Sequence, residues 1–196
     1  MPQAALLALQ GLRDKGLLKA GQRVLINGAG GGASTFALQL AKLFGAEVTG
    51  VDSTEKLVIM SSTGAAHVID CTKADFTKNG QTYDLILDFA LHRSVFDCSR
   101  ALTPEGRYVL VGGATGRILQ VLFVGTLLSL TSRKKMGLLL HQANSGLEFI
   151  KELVQEGKIV PVIDRSYGIS ELAQALRYFG TGHAKGKLVI KIVENS

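Results

Sequence analysis

The sequence predicts a doubly wound α/β fold, in which helices cover both faces of one parallel sheet. From Arg23 onward, short apolar runs alternate with helical patterns, as expected for strands that are buried on both faces. A glycine-rich run, Gly28 to Ser34, follows the first of these strands and leads directly into a helix. An apolar content of 46%, with 23 glycines and only 3 prolines, fits an aliphatic α/β interior.

The first part of the chain predicts parallel strands with a helix between one strand and the next. An N-terminal helix covers residues 4–12, and strands are predicted at 23–27, 47–51, 66–69, 84–88 and 106–111. The intervening helices are predicted at 33–44, 54–63 and 92–102, and their crossovers are right-handed. With 196 residues, the chain fits one generous domain, or one domain plus part of another.

The later part of the chain is less regular. Its predicted elements are a sixth strand at 126–132, a helix at 146–156 that ends at Gly157, an edge strand or turn at 159–163, a helix at 171–179 with Ser170 as N-cap, and a strand at 186–193. The assignment at 159–163 follows from Pro161, because proline is confined to sheet edges and turns.

Charge and hydropathy argue against nucleic-acid binding and against a membrane-spanning segment. The net charge of +6 is spread along the chain, and its densest cluster, residues 133–135, is interpreted as a solvated basic face. The interleaved basic and aromatic residues of a nucleic-acid interface are missing, so no nucleic-acid partner is predicted. Residues 118–130 are strongly apolar but shorter than the roughly 20 residues of a spanning helix. They are therefore predicted to be buried or to form an interface, and no transmembrane segment is expected.

Cysteine and histidine spacing predicts neither a disulfide framework nor a metal site. Cys71 and Cys98 have no metal-type spacing, and the N-terminus does not resemble a secretory signal, so we expect reduced thiols in a cytoplasmic protein. The four histidines are scattered without ligand spacing, and no metal is predicted. They are His67, His92, His141 and His183.

The glycine-rich run is interpreted as a dinucleotide-binding turn. A strand, a glycine turn, a helix, a second strand and a closing acid, Asp52, follow each other at the spacing that such a site requires. A turn without bulky side chains lets backbone N–H groups approach a pyrophosphate, and the helix N-terminus adds partial positive charge. The residues expected to bind the cofactor there are Ala29, Gly30, Gly31, Gly32, Ala33 and Ser34.

Two other interpretations of this run stay open. Methyltransferases with a sulfonium cofactor also have a glycine-rich first turn, but they usually carry an acid before the glycines, where this chain has Asn27. A purely structural turn between strand and helix is the other. A Walker phosphate loop is excluded, because no Gly-Lys-Ser or Gly-Lys-Thr follows.

Asp52, at the end of the second strand, is placed to accept hydrogen bonds from the adenosine ribose. A carboxylate there repels a 2′-phosphate, so we predict NAD(P)H as cofactor with a preference for NAD(H). Against this preference, Ser53, Thr54 and Lys56 are able to supply donors and positive charge to the same phosphate. Ser53 and Lys56 are therefore counted among the cofactor-binding residues. An acid that merely caps the following helix would give the same pattern.

The loops after the fourth and fifth strands are expected to line the nicotinamide half of the site. In a doubly wound sheet, the ligand crevice lies at the carboxyl ends of the strands. Phe89 and Ala90 follow the fourth strand, and Gly112 and Gly113 follow the fifth, where glycine permits close backbone approach. Ordinary loop glycines would look the same. No catalytic residue is recognisable in the sequence.

Several stretches share the motifs of one known family. They are GQRVLINGA at 21–29, QLAK at 39–42, GAEVTGV at 45–51, GAAHVID at 64–70, YDLILD at 83–88, LTPEG at 102–106, GKIVPVID at 157–164 and GHAKGK at 182–187. On these motifs, nearly the whole chain resembles the quinone-oxidoreductase-like branch of the medium-chain dehydrogenase/reductase superfamily.

The resemblance implies a Rossmann-type NAD(P)-binding domain of a zinc-independent oxidoreductase. Such an enzyme transfers hydride to or from a quinone, an enone or a similar carbonyl compound, and a homodimer is expected. The resemblance assigns residues 1–163 to the nucleotide-binding domain. It makes residues 164–196 the return segment of an incomplete GroES-like substrate domain, because the family places a further substrate domain before the nucleotide-binding domain. The chain would then be a truncated product.

Two departures from the family pattern support an alternative function. Gly31-Gly32-Ala33-Ser34 replaces a Gly-Gly-Val-Gly turn, and Ser34 is expected to hold the helix slightly farther out. Residues 88–91, Asp-Phe-Ala-Leu, replace Asp-x-Val-Gly and add bulk where the cofactor passes. The alternative is a degenerate, non-catalytic nucleotide-binding or dimerisation module.

Overall fold

A computed structural model describes residues 2–90, 92–112 and 115–192, and its main feature is a parallel sheet with six strands. The strands are β1 (Arg23–Asn27), β2 (Glu47–Asp52), β3 (His67–Asp70), β4 (Tyr83–Asp88), β5 (Leu102–Leu110) and β6 (Lys135–Leu138). Their order in the sheet is β3-β2-β1-β4-β5-β6, and every neighbouring pair is parallel. The strand order reverses between β1 and β4, which is where a doubly wound sheet has its ligand crevice. The predicted fold class is confirmed.

Helices lie between the strands. They are α1 (Pro2–Leu9), α2 (Ser34–Leu43), α3 (Leu57–Thr63), α4 (Val95–Arg100), α5 (Thr115–Gln120), α6 (Thr126–Thr131), α7 (Leu147–Gln155) and α8 (Leu172–Gly180). Short π-helical turns extend α1 and join α5 to α6, and 3₁₀ turns precede α3 and α8. None of the helices in the described part of the chain combines the length and the hydropathy needed to cross a bilayer.

A second, smaller sheet lies at the end of the chain. It consists of β7 (Ile163–Gly168) and β8 (Lys187–Lys191), which are parallel, with α8 between them along the chain. The N–H of Lys187 donates to the carbonyl of Val162 (2.7 Å), which joins the start of β8 to the residues just before β7. The predicted strand–helix–strand pattern is present, but its first strand lies later than the edge strand or turn predicted at 159–163. Residues 159–162 are not a strand, and β7 begins at Ile163.

The apolar core has one part on each face of the main sheet. Alternate residues of β1 supply the two parts, because successive side chains of a strand point to opposite faces. Val24 and Ile26 pack with α1 and α2, where Leu9 and Phe36 are buried. Leu25 belongs to the other cluster, which includes Cys98 of α4. Burial raises the pKa of the Cys98 thiol far above its ordinary value.

The sixth strand was predicted in the wrong place. Residues 126–132 form α6 and its C-terminus, and β6 follows them at Lys135–Leu138. The hydroxyls of Ser129 and Ser132 donate to carbonyls four residues earlier, at 2.7 Å each, which supports a helix in this segment. An apolar run without alternation does not by itself distinguish a buried helix from a strand.

Further differences between the predicted and observed elements concern where two helices and strand β5 begin. Ser170 is not an N-cap, because a 3₁₀ turn covers Ile169–Glu171 and the Glu171 carboxylate accepts from the N–H of Gly168 (2.8 Å). The predicted helix 92–102 begins only at Val95, because Ser94 caps it by accepting from the N–H of Asp97 (3.1 Å). It ends at Arg100, since β5 begins four residues earlier than predicted, at Leu102.

Candidate functional site

The glycine-rich turn, residues 28–33, connects β1 to α2 at the carboxyl edge of the sheet. Gly28 has a φ of 78°, which side-chain-bearing residues rarely adopt, and a Cβ there would lie 3.0 Å from the Cβ of Ala90. A Cβ on Gly30 would lie 2.6 Å from Cδ of Lys56. The turn therefore requires glycine at both positions for steric reasons that are visible in the structure.

Ser34, the first residue of α2, closes the turn from inside. Its hydroxyl donates to the carbonyl of Gly28 (2.5 Å) and accepts from the N–H of Gly31 (2.9 Å). The residue is only 1% exposed. The side chain thus holds the two ends of the turn together, and its hydroxyl is occupied by backbone partners.

Asp52, the last residue of β2, lies beside this turn, as its position at the end of that strand predicts. One carboxylate oxygen accepts from the N–H of Gly30 (2.9 Å), and the other accepts from the N–H of Ser53 (2.8 Å). The side chain remains 13% exposed. Asp52 therefore fixes the backbone of the glycine turn and still presents part of its carboxylate at the carboxyl edge of the sheet.

Lys56 connects the turn with the end of the chain. Its Nζ lies 3.5 Å from the Asp52 carboxylate and donates to the carbonyl of Gly182 (3.1 Å). Next to it, Glu55 pairs with Nδ1 of His183 at 2.5 Å, and this hydrogen bond holds the pKa of Glu55 below its usual value. Two consecutive residues thus bind two consecutive residues of the segment 182–187, here called the closing segment.

The closing segment runs across the glycine turn. A Cβ on Gly32 would lie 3.0 Å from the carbonyl oxygen of Gly186 and 3.1 Å from Cδ of Lys187. Burial lowers the pKa of Lys187 from its ordinary value. A cleft of about 530 Å³ separates the turn from α8 and β8, and both Lys56 and Lys187 line it. Two ammonium groups and the N-terminus of α2 therefore meet at one cleft, which is suited to an anionic ligand.

The residues predicted for the nicotinamide half lie at the same edge of the sheet, after β4 and β5. The N–H of Phe89 donates to the carbonyl of Asn27 (2.9 Å), and the N–H of Ala90 donates to the Asp88 carboxylate (3.0 Å). Gly112 has a φ of 78° and is exposed. Gly113 falls outside the described residues.

Two further features delimit the site. Within residues 2–90, 92–112 and 115–192, no group of three or more His, Cys, Asp or Glu side chains is placed to hold a metal ion. Another cavity, of about 550 Å³, lies between α2, α3 and residues 158–162, and none of the predicted cofactor residues lines it.

Comparison with known proteins identifies the family. Residues 63–190, well over half of the chain, match the family described as zinc-binding dehydrogenase. The chain belongs to the zinc-binding dehydrogenase family. The fold and the relatives also agree with the branch that the sequence motifs indicated. This is the quinone-oxidoreductase-like branch of the medium-chain dehydrogenase/reductase superfamily.

Three similar proteins illustrate the relationship. A zinc-type alcohol dehydrogenase-like protein of Schizosaccharomyces pombe is 32% identical over 89% of this chain and 53% of its own length. The mitochondrial NAD(P)H oxidoreductase RTN4IP1 of Mus musculus is 33% identical over 93% of this chain and 50% of its own length. The solved quinone oxidoreductase of Coxiella burnetii is 29% identical, with a TM-score of 0.83 over 98% of this chain and 59% of that one. This dehydrogenase-family chain spans about half the length of the curated relatives it matches.

The sequence alone did not reveal that the closing segment reaches the glycine turn. Lys187 and Gly186 lie more than 150 residues beyond Gly32 in the chain, and local periodicity carries no information about such a contact. The available signal was the run GHAKGK at 182–187. Two glycines interspersed with two lysines and a histidine are suited to close approach and to an anionic ligand.

Proposed function

We propose that this chain is the nicotinamide-dinucleotide-binding part of an oxidoreductase that transfers hydride to or from a quinone, an enone or a similar carbonyl compound. The observation that carries the proposal is that the glycine turn, which Asp52 holds through the N–H of Gly30, lines one cleft together with Lys56 and Lys187. A nicotinamide cofactor, when bound, supplies or accepts the hydride. The protein contributes binding and orientation, because holding the reacting groups in the productive geometry lowers the barrier to reaction.

Each group of residues has a defined role in this proposal. The turn at residues 29–34 borders the pyrophosphate, to which the backbone N–H groups of residues 32–34 and Lys187 donate, because the N–H groups of Ala29, Gly30 and Gly31 already have acceptors within the protein. Asp52 accepts from the adenosine ribose. Ser53 and Lys56 border the adenosine side. The loops at Phe89–Ala90 and at Gly112–Gly113 bind the nicotinamide half. The residues present fit the cofactor, since Lys56 and Lys187 bring positive charge to the cleft beside the glycine turn.

A charge substitution in the turn tests this proposal. A Cβ on Gly31 would meet only Oγ of Ser34, at 3.3 Å, and the carbonyl of Gly28, at 3.6 Å, so a side chain is accommodated there with small adjustments. We expect Gly31→Asp to weaken NADH binding about tenfold relative to the isosteric Gly31→Asn, because only the charge differs. Binding is measured by NADH fluorescence and by calorimetry. Failure of the wild-type protein to bind NADH or NADPH at millimolar concentration favours the non-catalytic module instead.

The proposed preference is for NAD(H). It rests on the partly exposed Asp52 carboxylate, and on Lys56, whose ammonium group is already engaged by Gly182 and Asp52. We expect Asp52→Asn to lower the ratio of the Kd for NADPH to the Kd for NADH, because the repulsion of the 2′-phosphate is lost. Glu47→Gln, at the other end of β2, is the matched control. An unchanged ratio in the Asp52 variant would show that this residue does not set the preference.

The substrate class is carried over from the relatives. Their names include quinone oxidoreductase, trans-enoyl reductase and NAD(P)H oxidoreductase. Oxidation of NADH, followed by its ultraviolet absorbance with a benzoquinone or an enone as acceptor, tests the proposed hydride transfer. Because the chain spans about half of its relatives, we expect low turnover from these residues alone. Robust turnover would contradict the proposed division into two domains.

That division places the nucleotide-binding domain at residues 1–163 and part of a substrate domain at 164–196. It is supported by the separate sheet of β7 and β8, which pairs with no strand of the main sheet among the described residues. Leu176 and Phe179 of α8 are 62% and 66% exposed, so this small unit leaves an apolar face uncovered. A two-stranded sheet of this kind is marginal by itself and needs further packing.

A homodimer and a cytoplasmic location complete the proposal. The dimer is supported by β6, an edge strand of the main sheet, and by exposed apolar side chains on the neighbouring helices, among them Phe123 and Leu130. The location is supported by the two free cysteines, Cys71 and Cys98, which are typical of a reducing compartment.

A further inference from the structure

Asp88 is a buried carboxylate at the ligand edge of the sheet to which the proposed function assigns no role. It is the last residue of β4 and is 0% exposed. Its carboxylate accepts from Nδ2 of Asn27 in β1 (2.9 Å), from the hydroxyl of Tyr108 in β5 (2.8 Å) and from the N–H of Ala90 (3.0 Å). A buried carboxylate is costly unless it is well supplied with donors, so this arrangement is strongly specified.

A second carboxylate, at the opposite edge of the sheet, also has one partner in β1 and one in β5, as Asp88 has in Asn27 and Tyr108. Asp84, near the start of β4, accepts from the N–H of Arg23 in β1 (2.9 Å) and from the hydroxyl of Thr103 in β5 (3.1 Å). Both aspartates thus connect the same three strands. The difference is the bond from Asp88 to Ala90, which reaches beyond the sheet into the loop after β4.

That loop lies directly against the glycine turn. The backbone N of Ala90 would be 3.3 Å, and its Cβ 3.0 Å, from a Cβ placed on Gly28. Phe89 lies between Asp88 and Ala90 in the chain. Its N–H donates to the carbonyl of Asn27 (2.9 Å), and Asn27 is the residue that precedes Gly28. The position of residues 89–90 relative to the turn is therefore set by Asp88, both directly through Ala90 and through its bond with the Asn27 side chain.

We propose that Asp88 is a positioning residue that orients the nicotinamide half of the cofactor by fixing the loop at Phe89–Ala90 against Gly28. This inference rests on the proposed function, since it requires that the chain binds a nicotinamide dinucleotide. Asp88 does not touch the cofactor and acts through the backbone of Ala90. Its loss frees the loop, so contacts with the nicotinamide half weaken while contacts with the adenosine half, which lie at β2, are retained.

The test compares two ligands that share the adenosine half. ADP-ribose keeps both riboses and the pyrophosphate and lacks only the nicotinamide ring, so the ratio of its Kd to the Kd of NADH measures the contribution of that ring. We expect Asp88→Ala to lower this ratio about tenfold, the equivalent of one or two lost hydrogen bonds, with the Kd of ADP-ribose changed by less than about twofold. Amide hydrogen exchange is expected to show loss of protection at Ala90.

Matched variants separate positioning from general support of the sheet. Asp84→Ala removes the equivalent carboxylate at the far edge and is expected to leave the ratio unchanged. Asp88→Asn keeps an oxygen for Ala90 and is expected to restore most of the ratio. If Asp88→Ala does not fold, Tyr108→Phe decides the question. It removes one of the groups that hold the carboxylate and is expected to lower the ratio about threefold.

The outcomes are distinguishable from failure of the proposed function. If the wild-type protein binds neither ADP-ribose nor NADH, the proposed function fails and this inference fails with it. If the wild-type protein binds both, but the ratio is unchanged in the Asp88→Ala and Tyr108→Phe variants, only this inference is overturned. The inference is also overturned if Asp84→Ala lowers the ratio equally, or if both affinities fall in parallel.

Discussion

Single polar side chains hold the glycine turn in place, and this explains why Ser34 replaces the glycine that the family usually has there. The Ser34 hydroxyl bridges Gly28 and Gly31 from inside, while the Asp52 carboxylate holds Gly30 from the side of β2. Within the turn, Ala29 and Gly30 are buried, whereas Gly31, Gly32 and Ala33 remain partly exposed. The Ser34 side chain is therefore part of the hydrogen bonding of the turn.

Removing this hydroxyl is expected to destabilise the fold. Ser34→Ala removes the acceptor that lies 2.9 Å from the N–H of Gly31 and leaves only the carbonyl of Gly28, at 3.4 Å, so the free energy of unfolding should fall by about 1–3 kcal/mol. Ser34→Gly should cost about 1 kcal/mol more, because glycine is a poor helix former. Urea unfolding measures both. Ser61→Ala, which removes an exposed hydroxyl on α3, is the control and should change stability by less than about 0.5 kcal/mol. A Ser34→Gly variant as stable as the wild type would contradict this role of the hydroxyl.

Lys187 gives the site a specific dependence on pH. Burial lowers its pKa below the ordinary 10.5, so in the folded protein the charged form is disfavoured. The unfolded chain then binds more protons between the two pKa values, and the stability lost to burying the charge is regained as the pH rises through the lowered pKa. A bound pyrophosphate favours the charged form instead. Cofactor affinity should therefore fall as the pH rises through the lowered pKa of Lys187 towards 10.5.

Substitution of Lys187 checks the origin of that decline. Lys187→Gln is expected to weaken NADH binding about tenfold at neutral pH and to remove the alkaline decline in affinity. Lys191→Gln, an exposed lysine at the end of the same strand, should leave both unchanged. Calorimetric titration from neutral to alkaline pH gives both quantities. An alkaline decline that persists in the Lys187 variant would show that another group controls it.

Among the secondary-structure elements, agreement between sequence and structure follows the strength of the local signal. Strands β1, β2 and β4 are short runs of apolar residues between turns, and their predicted bounds differ from the observed ones by one residue or less. The prediction was wrong where the pattern is apolar but not periodic. Residues 126–131 form a helix instead, and the hydroxyls of Ser129 and Ser132 bond one turn back along the chain. Composition alone carries no such information.

The candidate site also has one part that the sequence predicts and one part that it does not. The turn at residues 28–34 and Asp52 were predictable, because they follow one another along a single βαβ unit. The position of the closing segment was not, since it depends on how the chain returns across the glycine turn after α8. The sequence associates Lys56 with a phosphate, whereas its ammonium group bonds the carbonyl of Gly182. Long-range contacts of this kind depend on tertiary packing and have no periodic signature.

The linker before β7 is held to α2 by one side chain. Nε2 of Gln39 donates to the carbonyl of Val160 (2.9 Å), and the N–H of Val160 donates back to Oε1 of Gln39 (2.8 Å). This pair mimics the hydrogen bonding of an added strand and fixes the linker that precedes the small sheet. Since α2 starts at the glycine turn, Gln39 couples the position of that sheet to the turn.

Gln39→Ala is therefore expected to loosen the linker without unfolding the main sheet. Hydrogen exchange at the N–H of Val160 should accelerate about tenfold, because two hydrogen bonds are lost in a partly exposed place. Gln39→Glu keeps the acceptor for Val160 and should have a smaller effect. Gln155→Ala, on the exposed face of α7, is the control. Equal exchange rates in the wild-type and Gln39→Ala proteins would show that other contacts hold the linker.

For the molecule as a whole, the sheet has two edges of different character. At the β3 edge, strand residues His67 and Val68 are exposed and His67 pairs with Glu47, so this edge carries polar partners. The β6 edge lies beside α5 and α6, where several large apolar side chains are exposed. They include Phe123 at 74%, Leu127 at 62% and Leu130 at 80%. An apolar surface next to an unpaired strand edge favours association with another molecule.

The proposed homodimer is expected to form at this β6 edge. A second copy placed there would pair strand edges around a two-fold axis, so each exposed apolar group would meet its own equivalent surface. Phe123→Glu and Leu130→Glu should shift the protein from dimer to monomer in sedimentation velocity, because a charge is then buried at the contact.

Val58→Glu is the control, since Val58 is 80% exposed but lies on α3, beside the opposite half of the sheet. A wild-type protein that is monomeric at high micromolar concentration would overturn the homodimer. Dissociation by Val58→Glu as strongly as by the other two variants would place the interface elsewhere.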